Sequence, residues 1–279
     1  MDPALPPELE RVVFDLAAWR DKEVMCTLVL VARRVHVWIG PLRYRVRLGL
    51  WQLIGHCPAS RIHTRHLAVC GPWLHTGGDH RDAAASSIPR ILRAFPHLVS
   101  LRLWTITAAS IADLRLFLAL PALRRLAINL EAVFSERAAG PDPPPAPLAH
   151  VTHLELFQVR GTPLALPRLA AAFPALTHIA LFYGDVPNLN RMRHALLCWP
   201  ALVVLVHVLD GAFAQEPNEA EQALHAKRAA ELTAIDPRLV ILRLEHSGER
   251  DWEHGAWGGR DYWCRAEEIV AARGLLTSN

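Results

Sequence analysis

The chain has 279 residues, and 52% of them are hydrophobic, which is enough apolar material for a large core and for one or two domains. Thirty Lys and Arg residues against 27 Asp and Glu residues give a net charge of +3, which is too small to indicate nucleic-acid binding by itself. The densest apolar runs, 24–32 and 201–209, fall well short of the roughly 20 residues that a membrane helix needs, so no membrane association is expected.

The first ten residues and the cysteines indicate a cell compartment. The opening MDPALPPELE is acidic and proline-rich and has no basic region before an apolar run, so no secretory leader is expected. The five cysteines show no paired spacing, which favours reduced thiols in an intracellular protein. We therefore expect a cytoplasmic or nuclear protein.

The first helix is predicted within LPPELERVVFDLAA. Pro6 or Pro7 suits its first turn, and Glu8 and Glu10 suit the positive end of its dipole. An apolar stripe at helical spacing follows, formed by Leu9, Val12, Val13 and Leu16. Two further apolar segments and a strand near 44–48 complete a predicted module of about three short helices over residues 1–50.

Residues 5–48 resemble a divergent F-box of the kind found in fungal proteins. The matching residues are Leu5, Pro6, Glu8, Leu9, the run VVFDLAA, Leu28, Val31, Arg33, Arg34, Trp38, Pro41, Leu42, Tyr44 and Arg45. The resemblance implies a compact helical trio that docks onto a Skp-type adaptor, which in turn bridges to a cullin ubiquitin ligase. The adaptor contacts that it implies are Leu5, Pro6, Leu9, Val12, Val13, Leu28, Val31 and Trp38.

Two other interpretations of this module stay open. Its apolar residues can instead pack against the first unit of the remaining chain. Five arginines also fall within fifteen residues that contain no acid: Arg33, Arg34, Arg43, Arg45 and Arg47. A solvated face explains them better than a nucleic-acid patch does, so no nucleic-acid partner is expected.

Residues 50–82 concentrate side chains of metal-ligand types. They are Cys57, His63, His66, Cys70, His75, Asp79 and His80. Structural zinc sites use paired cysteines or histidines at short fixed spacings, and this stretch lacks that pattern. We therefore predict no metal and no cofactor, and a chain that stays folded in chelator; a metal hydrolase built on 57–80 is the remote alternative.

A repeated unit, Leu-x-x-Leu-x-Leu, organises the rest of the chain. It begins at Leu98 with Leu101 and Leu103, and a weaker copy lies at 64–69. Later copies start at Leu123, Val151, Leu176, Leu202 and Leu239, with spacings of 25, 28, 25, 26 and 37 residues. A period in this range is typical of one supersecondary unit stacked on itself. Proline precedes most copies by two residues: Pro96, Pro121, Pro174, Pro200 and Pro237.

Helical stretches lie between the predicted strands. Ser110, Asn188 and Asn218 are candidate caps, and Pro167 suits the first turn of a shorter helix. Strands joined by crossover helices imply a parallel sheet. The units resemble leucine-rich repeats without the usual Asn or Cys after the strand. The predicted fold is α/β: a helical F-box-like module over 1–50, then a leucine-rich-repeat-type solenoid with a parallel sheet over 51–279, ending in a C-terminal cap that contains Trp252, Trp257 and Trp263.

Positions three, five and seven of each unit should share the concave face of this sheet. The predicted target-binding residues there are Ser100, Arg102, Trp104, Arg125, Asn129, His153, Glu155, Phe157, His178 and Phe182. The alternative is that helices or the tail cover this face, because parallel sheets are commonly buried on both sides. In the strand 204–208, His207 falls on the inward face, and a slip of one residue would exchange the faces.

No nucleophile elbow, phosphate loop, HExxH or dinucleotide fingerprint occurs, so the sequence gives little support to an enzyme. The predicted function is a non-catalytic substrate receptor of a cullin-type ubiquitin ligase. It would bind the Skp-type adaptor through residues 5–48 and a protein target through the repeats. The alternative is a stand-alone leucine-rich binding scaffold whose first helices form an N-terminal cap.

Overall fold

The computed structural model describes residues 5–20, 24, 27–28, 30–39, 46–50, 64–70, 92–107, 117, 120–129, 147–157, 165–182, 189–209 and 219–274. All structural statements below concern these residues.

One sheet of eight parallel strands runs through the described chain, and its strands lie side by side in chain order. The strands are β1 (Val46–Leu50), β2 (His66–Cys70), β3 (Ser100–Thr107), β4 (Arg125–Asn129), β5 (His153–Phe157), β6 (His178–Phe182), β7 (Val204–Leu209) and β8 (Leu239–Arg243). The helices are α1 (Pro7–Arg20), α2 (Arg33–Ile39), α3 (Ala165–Ala172), α4 (Leu189–Cys198), α5 (Glu219–Ile235), α6 (Gly248–Ala256) and α7 (Tyr262–Ala272). The protein is therefore an α/β protein with a parallel sheet, as predicted.

The strand register from β2 to β7 follows the repeat. Leu101 lies opposite Leu67 on one side and Leu126 on the other. The alignment continues through Leu154, Ile179 and Leu205. Because side chains alternate along a strand, this register places the fourth and sixth residues of every unit on one face. Pro167 lies in the first turn of α3, as expected.

Strand β1 belongs to the sheet. The sequence predicted a strand at 44–48 that ends the N-terminal module. The observed strand is Val46–Leu50, and it pairs in parallel with β2 from Val46–His66 to Leu50–Cys70. The helices before it are α1 and α2, which pack on each other through Ala18, Val35 and Ile39.

The predicted register of the last strand is wrong by three residues. The repeat predicts that Leu239 is equivalent to Leu202, but Leu239 pairs with Leu205. The reason is that the leucine at the start of the repeat marks the turn before the strand. The Leu239 amide donates to the Asp236 carbonyl, just as the Leu202 amide donates to the Trp199 carbonyl. Strand β8 therefore begins at the first residue of its unit, whereas β3 to β7 begin at the third, and its pairing with β7 is offset by three residues. Ile241, predicted on the concave face, packs instead with the opposite core.

The first face of the sheet, named here the leucine face, carries the fourth and sixth residues of the units. Its core includes Leu101, Leu126 and Leu154, together with Leu169 of α3, Met192 of α4 and Leu232 of α5. His207 lies opposite Leu181 and is 1% exposed, so it is on this face and no one-residue slip has occurred.

The second face, named here the tail-covered face, carries positions three, five and seven. It packs against α6 and α7, with Tyr262, Trp263, Ala266 and Val270 from the tail. Ser247 caps α6 and Asp261 caps α7, each by accepting a backbone N–H three residues on. Gly258 joins the two helices at φ 83°, a conformation that favours glycine. Among the described helices, none combines the length and apolar character that a membrane crossing requires.

Candidate functional site

The predicted target-binding residues lie mostly beneath the tail. Six of them are buried: Ser100, Arg102, Glu155, Phe157, His178 and Phe182. The expectation that these side chains form an open concave face is therefore wrong, because α6 and α7 cover them. Arg125 and His153 are partly exposed. The backbones of Trp104 and Asn129 are in strands, but their side chains fall outside the described part of the structure.

Arg102 is a buried cation, 1% exposed, between the sheet and the tail. Its Nη1 donates to the Gly248 carbonyl over 2.6 Å, at the start of α6. Its guanidinium lies 5.1 Å from the ring centre of Phe157 and 5.4 Å from that of Phe182. Arg102 Nη1 lies 3.7 Å from Glu155 Oε2. These contacts attach the tail to the sheet and leave little of Arg102 for a partner.

Glu155 and Tyr262 share this interior. Burial raises the pKa of the Glu155 carboxyl, and the nearby Arg102 charge opposes that rise. Burial also raises the pKa of the Tyr262 hydroxyl well above its usual value, with the Glu155 charge adding to the effect. Glu155 and Tyr262 are therefore structural residues of the tail-covered face, and neither presents an acid or a base to solvent.

Two aspartates connect the tail helices to each other and to β4. Asp251 accepts from the Tyr262 amide at 2.7 Å and from the Arg265 guanidinium at 2.6 Å. Asp261 accepts from Arg125 at 2.8 Å. Nearer β3, the Trp252 indole donates to the Ser100 hydroxyl over 3.1 Å. The predicted residues Ser100 and Arg125 thus hold the tail.

A histidine pair lies on the same face, on neighbouring strands. The rings of His153 and His178 stack with centroids 4.1 Å apart and planes 3° apart, and Trp263 meets both edge-on. His178 Nε2 lies 2.9 Å from a Glu267 carboxylate oxygen. Burial, with His178 and Arg125 adding to it, lowers the pKa of His153 to about 2. Within the described residues, His153, His178 and Glu267 are the one group of three side chains placed to hold a metal ion.

Two of the three residues of this cluster are visible as a pattern in the sequence. The dipeptide Thr-His recurs at 152–153 and 177–178, which are 25 residues apart, and the strand register makes the histidines neighbours. Glu267 comes from α7, whose position over the sheet no local pattern reveals. Of the metal-ligand types at 57–80, only His66 and Cys70 fall in the described chain, as the ends of β2.

An exposed apolar surface, named here the α1 stripe, is formed by Leu9, Val12 and Val13 of the predicted adaptor set together with Leu16. Leu9, Val12, Val13 and Leu16 of α1 are each 52–60% exposed, and Leu5 is 45% exposed. Pro6 and Val31 are also exposed, whereas Leu28 and Trp38 are partly buried against the α1–α2 core. Arg34, from the predicted arginine group, pairs with Glu10 over 2.7 Å. Arg43 and Arg45 lie outside the described residues.

Comparison with protein-family models finds no match for this chain, and comparison with curated proteins finds none either.

Proposed function

We propose that the protein is a non-catalytic substrate receptor of a cullin-type ubiquitin ligase, with an F-box-like module that binds a Skp-type adaptor and a leucine-rich-repeat-type body that binds a protein target. The observation that carries the proposal is the α1 stripe. Leu9, Val12 and Val13 expose more than half of their surface to solvent on one helix. Contiguous exposed apolar surface of this kind is typical of a protein-binding site.

The division of α1 into two sides supports this proposal. One side packs Ala18, with partly buried Phe14, against Val35 and Ile39 of α2. The other side presents the α1 stripe to solvent. The contact between α1 and α2 does not use the α1 stripe, so the stripe is left available for an adaptor whose own surface is apolar.

The target-binding half of the proposal depends on surfaces other than the buried positions of the tail-covered face. From the predicted set, Arg125 and His153 keep part of their side chains exposed, at the edge of α7. A target would meet the body there or along the outer surfaces of the helices. The cytoplasmic or nuclear location follows from the ligase role and is part of the same proposal.

Co-purification with a Skp-type adaptor tests the adaptor half. We expect Leu9→Asp to abolish binding, because a charge in an apolar interface stays desolvated and unpaired. Leu197→Asp is the matched control, since Leu197 of α4 is 81% exposed and lies outside the stripe. A truncation should end before Val46, because removing β1 would expose β2. No co-purification of a Skp-type adaptor with the unaltered chain would reject the ligase role, and binding that survives Leu9→Asp would place the contact away from the α1 stripe.

The scaffold alternative also has an observation in its favour. Trp257 packs against the α1–α2 core and also against Ala68, Trp252 and Ala256 on the tail-covered face. This contact joins the N-terminal helices to the tail near β1, as an N-terminal cap would. If the chain binds no adaptor and Trp257→Ala releases α1 and α2 to proteolysis, the helices are a cap.

A further inference from the structure

Two consecutive strands present the same dipeptide to the same place. Thr152-His153 opens β5 and Thr177-His178 opens β6, and the register sets the two histidines directly opposite each other. In each pair the threonine hydroxyl lies within hydrogen-bond distance of the histidine Nδ1, at 2.9 Å in the first and 2.8 Å in the second. The same threonine–histidine contact therefore occurs on both strands.

The threonines determine which ring nitrogen carries the proton. The Thr152 hydroxyl donates to the Arg124 carbonyl, and the Thr177 hydroxyl donates to the Thr152 carbonyl, at 3.3 and 3.2 Å. A hydroxyl that gives its one hydrogen to that carbonyl accepts from its histidine, whose Nδ1 then carries the proton. Both histidines consequently present an Nε2 lone pair, in the arrangement by which outer hydrogen bonds orient metal ligands.

Glu267 brings a carboxylate to this lone pair. His178 Nε2 is buried and lies 2.9 Å from a Glu267 oxygen. Two acceptor atoms at that distance repel unless a cation lies between them or beside them. A shared cation, either a proton or a metal ion, therefore joins His178 Nε2 to the Glu267 carboxylate.

We propose that His153, His178 and Glu267 bind a divalent transition-metal ion of the zinc class. Two imidazole nitrogens and one carboxylate oxygen form a ligand set that zinc accepts, and the three ligand atoms lie within 4.8 Å of one another. Closure around an ion requires one ring, that of the more exposed His153, to turn out of the parallel stack. This site is independent of the adaptor-binding proposal.

The surroundings suit such an ion. Glu267 is 43% exposed, which gives the ion a path from solvent and leaves room for water as a fourth ligand. Arg125 is the nearby cation, and Asp261 offsets its charge through their ion pair. Trp263 meets both rings edge-on and shields the inner side of the site.

Titration calorimetry of the full chain with Zn²⁺, together with the visible absorption of bound Co²⁺, tests the site. We expect each chain to bind one ion through these three ligands. Glu267→Gln and His178→Asn should therefore each weaken Zn²⁺ binding at least about tenfold. Thr177→Val should weaken it about 10- to 100-fold by releasing the His178 ring, while Thr177→Ser retains binding. Glu268→Gln and His97→Gln are exposed controls that should change nothing.

Two results would overturn the proposal. One is Zn²⁺ binding that is unchanged in Glu267→Gln and His178→Asn, which would place the ion elsewhere in the chain. The other is no Zn²⁺ binding by the parent protein. In that case the shared cation is a proton, and NMR of the His178 ring would show both nitrogens protonated near neutral pH.

Discussion

Arg125 and Asp261 lie 136 residues apart in the chain and form an ion pair 2.8 Å long. Arg125 belongs to the middle of the sheet, and Asp261 is the residue that caps α7 by accepting from the Cys264 amide at 3.1 Å. One buried carboxylate thus starts a helix and attaches it to the sheet. Such polar contacts hold the tail in addition to its apolar residues.

Replacing Asp261 tests this double role. Asp261→Ala removes both the cap and the ion pair, and we expect it to lower the free energy of unfolding by about 1–3 kcal/mol. Asp261→Asn retains a capping oxygen and loses only the charge, so its cost should stay under about 1 kcal/mol. Urea denaturation of both variants measures the difference, and equal losses would assign the whole effect to the ion pair.

The stability of a Phe157 variant tests whether the tail-covered face is a buried core or an open binding surface. The Phe157 ring is 5% exposed, next to Phe182 and beneath the Arg102 guanidinium. We expect Phe157→Ala to lower the free energy of unfolding by about 3–5 kcal/mol. Leu197→Ala, at an 81% exposed position, should change it by less than about 0.5 kcal/mol. A Phe157→Ala variant with unchanged stability would show that the tail leaves this face.

Gly255 shows how closely α6 approaches the cap of α7. A Cβ atom built on Gly255 would lie 2.6 Å from the Cβ of Asp261, which Arg125 and the Cys264 amide hold in place. Alanine normally stabilises a helix relative to glycine by about 1 kcal/mol. Here we expect Gly255→Ala to destabilise the protein by about 1–3 kcal/mol, as overpacking does. A rise in melting temperature would contradict this packing.

His153 makes stability depend on pH in the metal-free protein. Its pKa is about 2 in the folded chain and about 6.5 when unfolded, so the unfolded chain binds the proton more readily. The contribution of His153 to the free energy of unfolding is full above pH 6.5. Below pH 6.5 that free energy falls by up to about 1.4 kcal/mol per pH unit. In chelator, His153→Gln should flatten the stability profile between pH 6.5 and 4.5. His97→Gln, at an exposed position, should leave the profile unchanged.

The sequence predicted the strands well because each repeat carries its own local signal. Leu101, Leu126 and Leu154 stand at a fixed position in successive units and pair as expected. The error at Leu239 shows the limit of that signal: it marks the turn, whereas register depends on where the chain enters the sheet after α5.

The site could be predicted only in part. The repeated Thr-His dipeptide and the apolar stripe of α1 are visible in the sequence. The burial of Arg102, Glu155 and Phe182 is not, because alternation says which side chains share a face and nothing about what covers it. That cover comes from α6 and α7, which lie far along the chain from these strands, so their docking depends on tertiary packing.

The late position of α6 and α7 in the chain has a consequence for biosynthesis. All eight strands leave the ribosome before residues 248–272, which cover them, so a nascent sheet presents Phe157, Phe182 and Val206 to solvent. Exposed apolar strands on a growing chain are prone to aggregation and are bound by chaperones. Release from such a chaperone should therefore coincide with synthesis of the tail, and ribosomes stalled before Gly248 should hold a chain that stays chaperone-bound.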